Sequence, residues 1–494
     1  MSPQRSVLLV FIFSTFKTGD VIMRLALIKL PMGAHLSSHP PLGITYLASY
    51  IIQHNIIEPS DICLCDLDLV LRNAYFDGLD ILHLSKGELL KLLADTIAGL
   101  NCEIIGFTVY NHNVRLLSDI VKEIRDKIPD SIIIIGGPFP TLFPKMALKY
   151  TGADYAVIGE GEQTLYELLN YLATGKPKLN RIRGIAYVDK EGNIKLNPRR
   201  ELISNLDKIP FPAFDLLPLD EYWEFDYFPS LPLITSRGCP YQCTFCSERI
   251  IWGKTVRFRS IKNVIDEIER DIYDFGVREI LFYDSTFTLN RDRTINLLKE
   301  IINRRLNDEV RFFAQTRIDC IDKKLLELMK QGGFAMITFG VETVIKSSIV
   351  EANKGYPHYI DVINHIKELV KHAIKLGLYV NVNFIIGFPS ETKDELLKEL
   401  QLIKELRQYG AIPRVHLLNP EGELLNKYKD ELISNPTYYR EFSSPLEGIS
   451  EPIPEIDSDY FIIPPKNLSI DEYVSLFEEA MFISGSIEPA GIYL

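Results

Sequence analysis

One stretch of the 494-residue chain gathers three of its seven cysteines: Leu233-Ile-Thr-Ser-Arg-Gly-Cys239-Pro-Tyr-Gln-Cys243-Thr-Phe245-Cys246-Ser. Its cysteines follow a C-x3-C-x2-C spacing. A tight loop after a strand can direct three sulfurs spaced in this way at one point. Thiolates that gather like this select zinc or an iron-sulfur cluster. The stretch therefore predicts a metal centre with Cys239, Cys243 and Cys246 as ligands.

Two other interpretations of this loop are weaker. A structural zinc site usually needs four ligands, and the next cysteine or histidine along the chain is Cys320. Three neighbouring cysteines also leave one without a disulfide partner. A four-iron, four-sulfur cluster on three cysteines instead keeps one iron open. A small molecule with an amine and a carboxylate can chelate that iron.

With the aromatic Phe245 just before the third cysteine, the loop resembles the signature of the radical S-adenosylmethionine (radical SAM) superfamily. The resemblance implies a 4Fe-4S cluster on the three cysteines, S-adenosylmethionine (SAM) on the open iron and Phe245 beside the cofactor. It also implies an external one-electron donor such as a ferredoxin or flavodoxin.

Composition limits the other possibilities. With 46% hydrophobic residues the chain can bury a large core and form two or three domains. A net charge of -12 argues against a nucleic-acid partner, which would need a basic surface. Cysteines at irregular spacing suit a reducing compartment, which predicts a cytoplasmic location.

Residues 1–22 are an extension of unclear role. An apolar run at 6–16 is too short to span a bilayer, and no small-residue cleavage site follows it. A peripheral membrane contact is the alternative interpretation of this segment.

Residues 23–180 alternate apolar strands with helices, which predicts a Rossmann-like, doubly wound parallel sheet with ligands at the carboxyl ends of its strands. This region resembles the cobalamin-binding domain that precedes many radical SAM barrels. The matching motifs are Pro41-Leu-Gly43, Gly106-Phe-Thr108, Gly136-Gly137-Pro138 and Gly159-Glu-Gly161-Glu162. The resemblance implies cobalamin contacts at Thr108, Tyr110, Gly136, Gly137, Gly159 and Glu160. The motif D-x-H-x-x-G with an axial histidine is absent, so the lower cobalt ligand is undefined.

Residues 181–228 are predicted to form a β-hairpin followed by a linker. The hairpin signal is a turn at 189–193 between two apolar runs. Prolines at 210 and 212 cannot continue a helix or a sheet, which favours a linker there.

Residues 229–425 continue the strand-helix alternation through six repeats. The resemblance identifies them as a partial (β/α)6 TIM barrel with an open side for substrate. Polar groups at the carboxyl ends of its strands are candidate SAM contacts, because barrel active sites lie there. These candidates are Tyr283, Asp284 and Ser285 at the position of the family's GGE motif, and Gln315, Arg317, Glu342, Asn383 and Gly387 on the later strands.

Residues 426–494 are predicted to be a small α-rich C-terminal extension that closes the barrel's open side and shapes the substrate pocket. It contains no cysteine, which excludes an auxiliary cluster there. The fold class is therefore α/β, with a cobalamin-type sheet, a partial barrel and this extension.

The two resemblances together imply an enzyme that cleaves SAM reductively and, with cobalamin, methylates an unactivated carbon. The substrate is expected to be a small molecule, a lipid or a peptide. Three alternatives stay open. One is a radical SAM enzyme that forms a ring or a carbon-carbon bond on a tetrapyrrole or lipid. The others are an electron-transfer or cobalamin-carrier protein with a SAM-inert cluster, and a zinc-bearing interaction module.

Overall fold

The structure is a computed structural model. It describes residues 23–32, 39–81, 83–224, 228–357, 361–418, 422–428, 433–434, 461–462 and 466–484. The predicted extension at 1–22 and its membrane contact lie outside these residues. Every helix in the described part of the chain is too short or too polar to span a lipid bilayer.

The N-terminal part is a seven-stranded sheet with helices on both faces. Its strands are β1 (Leu25–Lys29), β2 (Ile62–Asp66), β3 (Ile104–Thr108), β4 (Ile132–Gly136), β5 (Tyr155–Val157), β6 (Ile185–Val188) and β7 (Ile194–Leu196). Its helices are α1 (Leu42–Gln53), α2 (Leu67–Phe76), α3 (Lys86–Gly99), α4 (Val114–Lys127), α5 (Pro138–Leu142), α6 (Pro144–Thr151) and α7 (Glu162–Thr174). The strand order is β2-β1-β3-β4-β5-β6-β7, and the first five strands run parallel.

Two separate apolar cores cover the faces of this sheet. Helices α3 and α4 pack on one face and helices α1 and α7 on the other, which confirms the doubly wound prediction. The order of strands reverses between β1 and β3, so their carboxyl ends form the crevice where such sheets bind ligands. Helix α2 is an element that the sequence analysis did not predict.

The hairpin predicted within 181–228 is present, but it does not lead away from the sheet. Strand β6 pairs antiparallel with β5, with Ile185 opposite Val157, and β7 pairs antiparallel with β6. The hairpin therefore extends the N-terminal sheet. Local turn and strand signals predict a hairpin, but its pairing partner depends on which edge the folded sheet leaves open.

The second part is a sheet of six parallel strands in the order β15-β14-β13-β12-β11-β8. Its strands are β8 (Ser230–Leu233), β11 (Glu279–Phe282), β12 (Arg311–Arg317), β13 (Phe334–Glu342), β14 (Tyr379–Ile386) and β15 (Ile412–Leu417), and a short antiparallel pair joins β9 (Ser236–Arg237) to β10 (Arg257–Phe258). The end strands β8 and β15 do not pair with each other. This arrangement confirms the six-unit partial barrel with an open side.

Helices connect and cover these strands. They are α8 (Leu219–Trp223), α9 (Glu248–Trp252), α10 (Ile261–Phe275), α11 (Arg291–Asn303), α12 (Lys323–Gln331), α13 (Lys346–Glu351), α14 (Val362–Lys375), α15 (Lys393–Gln408), α16 (Gly422–Tyr428) and α17 (Ile470–Ser484). Helix α10 ends where Gly276 adopts a left-handed φ of 71°, a conformation that glycine takes at little cost. Tyr46 of α1 belongs to the barrel's apolar core, so the two parts pack directly on each other.

The described portion of the C-terminal extension includes α17, which packs on α15 and β15. Its buried residues Leu476, Phe477 and Ala480 cover the edge strand of the barrel. A two-stranded pair, β16 (Ile433–Ser434) and β17 (Phe461–Ile462), precedes it. Its role in shaping a substrate pocket stays a prediction.

Candidate active site

The cysteine loop connects β9 to α9, and all three of its cysteines are free and half-buried. Backbone hydrogen bonds fix the loop, because the Cys239 amide donates to the Gly253 carbonyl at 3.2 Å and the Thr244 amide donates to the Ala352 carbonyl at 3.0 Å. Gly238 has a φ of 99°, and a Cβ there would lie 2.5 Å from the Thr255 carbonyl oxygen. Only glycine fits this entry to the loop.

The three thiols fit a cluster better than a single ion. Within the described residues, no three His, Cys, Asp or Glu side chains are placed to hold one metal ion. A zinc ion would need its ligands at a single point, whereas thiolates on a cubic cluster bind separate irons. Burial raises the pKa of Cys239 and of Cys246, so cluster binding would displace protons from both thiols.

Arg317 lies directly beside the loop. Its guanidinium forms two 2.9 Å hydrogen bonds with the carboxylate of Asp319, and Nη1 is 3.7 Å from the Cys243 sulfur. The ring of Tyr241 lies 3.8 Å from the guanidinium carbon. Burial opposes the charge, but the pairing with Asp319 raises the pKa of Arg317 above its ordinary value. Arg317 is therefore engaged by protein groups and lies beside a cluster ligand, and its contact with SAM stays a prediction.

Asp284 joins the end of β11 to the strand that enters the cysteine loop. Its carboxylate accepts hydrogen bonds from the Thr235 amide at 3.0 Å, the Thr235 hydroxyl at 2.8 Å and the Ser236 hydroxyl. Burial raises the pKa of Asp284, and these hydrogen bonds act in the opposite direction. Gln315 donates to the Asp284 carbonyl at 3.3 Å. The Asp284 carboxylate thus ties β11 to the segment that enters the loop, and its contact with SAM stays a prediction.

Glu342 ends β13 with a left-handed φ of 67°, a backbone strain that costs about 1–3 kcal/mol and is often found at active sites. Its carboxylate accepts from Lys354 Nζ at 3.2 Å and lies over Gly340, where a Cβ would come within 2.7 Å of Oε1. The neighbouring Asn383 has a buried side-chain oxygen without a hydrogen-bond partner among the described residues. Buried polar atoms are nearly always satisfied, so this orphaned acceptor fits the donor groups of a bound SAM.

Phe245 and Gly387 border a small apolar cluster at the same barrel end. The Phe245 ring lies edge-on to Phe388 at 6.2 Å between centroids. Gly387 has a φ of 119° and donates its amide to Glu391 at 2.9 Å. The other buried members of this cluster are Ala352, Leu418, Leu424 and Tyr428. These contacts place an apolar surface beside the cysteine loop, as a SAM nucleoside would require.

A cavity of about 420 Å³ lies between the N-terminal sheet and the barrel. It is called here the larger cavity because more residues line it than line a second cavity of the same volume beside helix α9. Five of the six predicted cobalamin contacts line it, namely Thr108, Tyr110, Gly136, Gly137 and Gly159. The barrel contributes Ser247, Glu248, Tyr283 and Ser285 to the opposite wall. Tyr283 is 40% exposed, and the hydroxyl of Ser285 donates to Glu248. Tyr283 and Ser285, which stand at the position of the family's GGE motif, thus face this cavity.

The sheet side of this cavity fits a large flat ligand because glycines, which have no side chains, line it. Gly137 has a φ of 98°, and a Cβ there would lie 3.1 Å from the Val109 carbonyl oxygen. Gly159 has a φ of 79°, and no atom lies within 4 Å of the place a Cβ would occupy. A side chain at Gly159 would enter open space that a corrin could fill. No histidine is among the described residues that line this cavity.

Glu160, the sixth predicted cobalamin contact, does not line the larger cavity. Its carboxylate accepts from Arg237 at 3.1 Å and from Arg257 at 2.8 Å, and it also accepts from the Ile203 amide at 2.7 Å. Glu162 pairs with the same Arg237 at 2.6 Å. The structure therefore assigns Glu160 to a buried ion-pair network that joins the sheet to the residue two positions before Cys239.

The sequence analysis missed the functional position of Arg237, although it lies in the quoted stretch. Its guanidinium carbon is 5.4 Å from the Tyr46 ring and 4.7 Å from the Trp252 ring. Tyr46, Glu162, Arg237 and Trp252 all line the larger cavity. The available signal was the pair of glutamates on either side of Gly161, but nothing in the sequence indicates that Arg237, 77 residues from Glu160 and 75 from Glu162, is their partner.

Comparison with known proteins agrees with both parts of this site. The radical SAM superfamily profile matches residues 233–403, and the B12 binding domain profile matches residues 29–169. An uncharacterized methyltransferase of Pyrococcus horikoshii is 32% identical over 74% of this chain and 73% of its own length. An anaerobic magnesium-protoporphyrin IX monomethyl ester cyclase of Rubrivivax gelatinosus is 27% identical over 81% of this chain and 68% of its own length.

Among solved structures, the radical SAM methyltransferase TsrM of Kitasatospora setae has a similar fold. It superimposes with a TM-score of 0.65 at 18% identity, over 93% of this chain and 89% of the TsrM chain. At this identity the likeness concerns the fold, and it covers the sheet and the barrel together.

Proposed function

Because the chain belongs to the radical SAM superfamily and carries a B12-binding domain, we propose that it methylates an unactivated carbon of a small-molecule substrate. Its cofactors are a 4Fe-4S cluster, SAM and cobalamin. Of the three alternatives, the ring-forming enzyme and the carrier protein keep the iron-sulfur cluster, and the zinc-bearing module is the one that fits the donor set least.

One observation carries the proposal. The larger cavity has the glycine-rich edge of the sheet on one wall, and on the other it has residues that flank the cluster cysteines or end β11. Ser247 and Glu248 directly follow Cys246, so a ligand in this cavity would face both the cobalamin domain and the cluster loop. A methyl donor and a radical generator must meet over one substrate carbon, and proximity of this kind lowers the barrier.

When bound, the reduced cluster supplies an electron that splits SAM into methionine and a 5′-deoxyadenosyl radical, and cobalamin supplies the methyl group. The chain's own residues bind and orient these groups. Arg317 and Asp284 hold the cysteine loop from two strands of the barrel. Glu342 and Asn383 offer polar contacts to SAM at two adjacent strand ends. Tyr283 and the Glu248–Ser285 pair line the wall where a substrate would lie.

The test is anaerobic reconstitution with iron, sulfide and cobalamin, followed by incubation with dithionite and methyl-labelled SAM. We expect 5′-deoxyadenosine to form and labelled methyl to appear on cobalamin and then on an accepted small molecule. Methylation is contradicted by a preparation that cleaves SAM but never transfers label to cobalamin or product. A carrier protein would yield neither 5′-deoxyadenosine nor label transfer.

Ring formation is the second candidate, because the match to the magnesium-protoporphyrin ester cyclase covers 81% of this chain. It shares the cluster, SAM and the larger cavity with the first. The labelled-SAM experiment separates the two, since a cyclised product would contain no label from the SAM methyl group.

A further inference from the structure

The guanidinium of Arg317 is held in one orientation beside the cysteine loop. Nε and Nη2 donate to the two carboxylate oxygens of Asp319 at 2.9 Å each, and Nη2 also donates to the Lys354 carbonyl at 2.8 Å. One face of the group lies over the Tyr241 ring, with 3.8 Å between the guanidinium carbon and the ring centre. The remaining nitrogen, Nη1, is directed at the Cys243 sulfur, 3.7 Å away. A rotation away from Cys243 would break these contacts.

The ring that covers Arg317 is itself fixed by the end of β12. The Tyr241 hydroxyl lies 2.9 Å from the Cys320 sulfur, and Cys320 ends the short 3-10 turn that follows this strand. Tyr241 lies between Cys239 and Cys243 in the loop. The end of one strand therefore supplies both the cation that approaches the loop and the thiol that holds its stacking partner.

The ion pair of Arg317 and Asp319 is buried, which strengthens its electrostatic effect. Arg317 is 5% exposed, and so is the side chain of Asp319. A charge acts more strongly on its neighbours at such a site than in water, because the effective dielectric constant is lower. Reduction adds negative charge to an iron-sulfur cluster, and both hydrogen bonds to the sulfurs and nearby charges shift the reduction potential. A cationic N–H donor at Cys243 therefore makes a bound cluster easier to reduce.

We propose that Arg317 raises the reduction potential of the cluster by donating from Nη1 to the Cys243 ligand, and that Asp319 limits this effect as the counter-charge. Tyr241 and Asp319 are the positioning residues, because they hold the guanidinium in place. The inference rests on the cluster of the proposed function, but it does not require methyl transfer. One electron enters the cluster from an external reductant, and no bond or proton changes in these residues.

The test is a redox titration of the full-length, anaerobically reconstituted protein, with the reduced cluster followed by electron paramagnetic resonance and no SAM present. Arg317→Gln removes the positive charge beside Cys243. We expect a tenfold smaller ratio of reduced to oxidised cluster at any fixed potential, which corresponds to a midpoint potential about 59 mV lower for a one-electron couple.

Asp319→Asn gives the result that a merely structural role would not produce. It removes the negative charge that offsets Arg317, so the midpoint potential should rise. The rise should be smaller than the fall in Arg317→Gln, because the Asp319 carboxylate binds Nε and Nη2, whereas Nη1 is the nitrogen that approaches the sulfur. Loosening of the loop would instead move both variants in the same direction.

Arg311→Gln is the matched control, because Arg311 and Arg317 are the two ends of the seven-residue strand β12. It makes the same change about 20 Å away, at about 3.3 Å per residue. The Arg311 side chain is 46% exposed and pairs with Glu279. The midpoint potential of this control should remain at the wild-type value. A shift equal to that of Arg317→Gln would show a general charge effect and overturn the proposal.

Arg317→Gln leaves Asp319 buried without its partner, which is strongly destabilising. If this variant fails to load iron, Asp319→Asn and the double variant Arg317→Gln with Asp319→Asn decide the matter. The double variant has no unpaired buried charge, and its midpoint potential should lie below that of the wild type, because the charged donor to Cys243 is lost.

Wild-type midpoint potentials in these variants would overturn the proposal. The titrations are repeated with SAM, and a shift that appears only with SAM would also overturn it, because Arg317 would then act through SAM. A wild-type protein whose cluster titrates normally, but which never transfers methyl label to cobalamin or product, would overturn methylation and leave the role of Arg317 to be decided by the variants.

Discussion

The barrel end that holds the cysteine loop and the sheet wall of the larger cavity are built in opposite ways. In the barrel, the predicted contacts Asp284, Arg317 and Glu342 are already engaged by hydrogen bonds and ion pairs within the protein. On the sheet side, Gly137 and Gly159 leave space and backbone where side chains would otherwise lie. The comparison teaches that polar residues hold the cluster loop in place. The cobalamin side instead depends on glycines, which have no side chains and so leave room for the ligand.

The largest effect is expected on the barrel side, at the cluster ligands. Cys243→Ala should abolish the brown iron-sulfur chromophore and reduce 5′-deoxyadenosine formation to background, because two thiolates and a water cannot hold the cluster. Iron and sulfide analysis with a SAM-cleavage assay measures both. Cys63→Ala, a half-buried cysteine of the N-terminal sheet, should retain chromophore and cleavage. A Cys243→Ala protein with normal iron content would show that Cys243 does not ligate a cluster.

The ion-pair network between the two walls should give the next largest effect. Arg237→Met leaves the buried Glu162 without its partner, and we expect the free energy of unfolding to fall by roughly 3–5 kcal/mol. Denaturant unfolding measures this change. Removing the exposed Arg305–Asp308 pair with Arg305→Met should cost less than about 1 kcal/mol.

A double variant sharpens that result. Arg237→Met combined with Glu162→Gln removes the unpaired buried charge, so part of the lost stability should return. No recovery in the double variant would mean that Arg237 acts through its packing between Tyr46 and Trp252.

A pH effect is expected beside Glu342. The Glu399 carboxylate accepts from the Val344 amide at 2.8 Å, and burial raises the pKa of Glu399 from 4.5 to about 7. Between those pH values the folded protein holds a proton that the unfolded chain has released, so the stability contributed by this group falls as pH rises. Glu399→Gln has no proton to lose. It should be more stable than wild type above pH 7, by up to about 3 kcal/mol, and similar below pH 4.5.

Glu405→Gln, on the same helix, is the control with the opposite sign. The hydrogen bond from Lys367 lowers the pKa of Glu405, so this carboxylate favours the charged form. Its removal should not stabilise the protein at high pH. Thermal unfolding followed across the pH range distinguishes the two variants, and equal behaviour would contradict the role of burial at Glu399.

The smallest effect is expected at the sheet wall. Gly159→Ala places a methyl group in open space at a residue that lines the larger cavity, and we expect cobalamin affinity to fall about tenfold. Gly175→Ala carries the same backbone strain, with a φ of 72° against 79°, but lies at the end of α7 outside the described lining of both cavities. Equilibrium binding of hydroxocobalamin compares the two variants. Equal affinity losses would show that strain, and not the lost space, weakens binding.

Much of the fold was predictable because local patterns decide it. The apolar runs and helical spacing predict both parallel sheets, and the cysteine spacing predicts the metal loop. The glycines predicted as cobalamin contacts, Gly136, Gly137 and Gly159, line the larger cavity. Contacts between distant segments were not predictable in the same way. The hairpin's pairing with β5, the approach of Arg317 to Cys243 and the ion pairs of Glu160 each depend on where other elements pack.

The sequence by itself determined which residues can ligate a cluster, where glycine leaves the backbone without a side chain, and which segments form strands and helices. These properties follow from side-chain chemistry, glycine's conformational freedom and hydrophobic periodicity, all of which act over a few residues. Only the tertiary structure decided which charges neutralise each other. Ion pairs such as Arg237–Glu162 form between residues 75 positions apart, because folding brings the sheet edge against the barrel and buried charges require partners there.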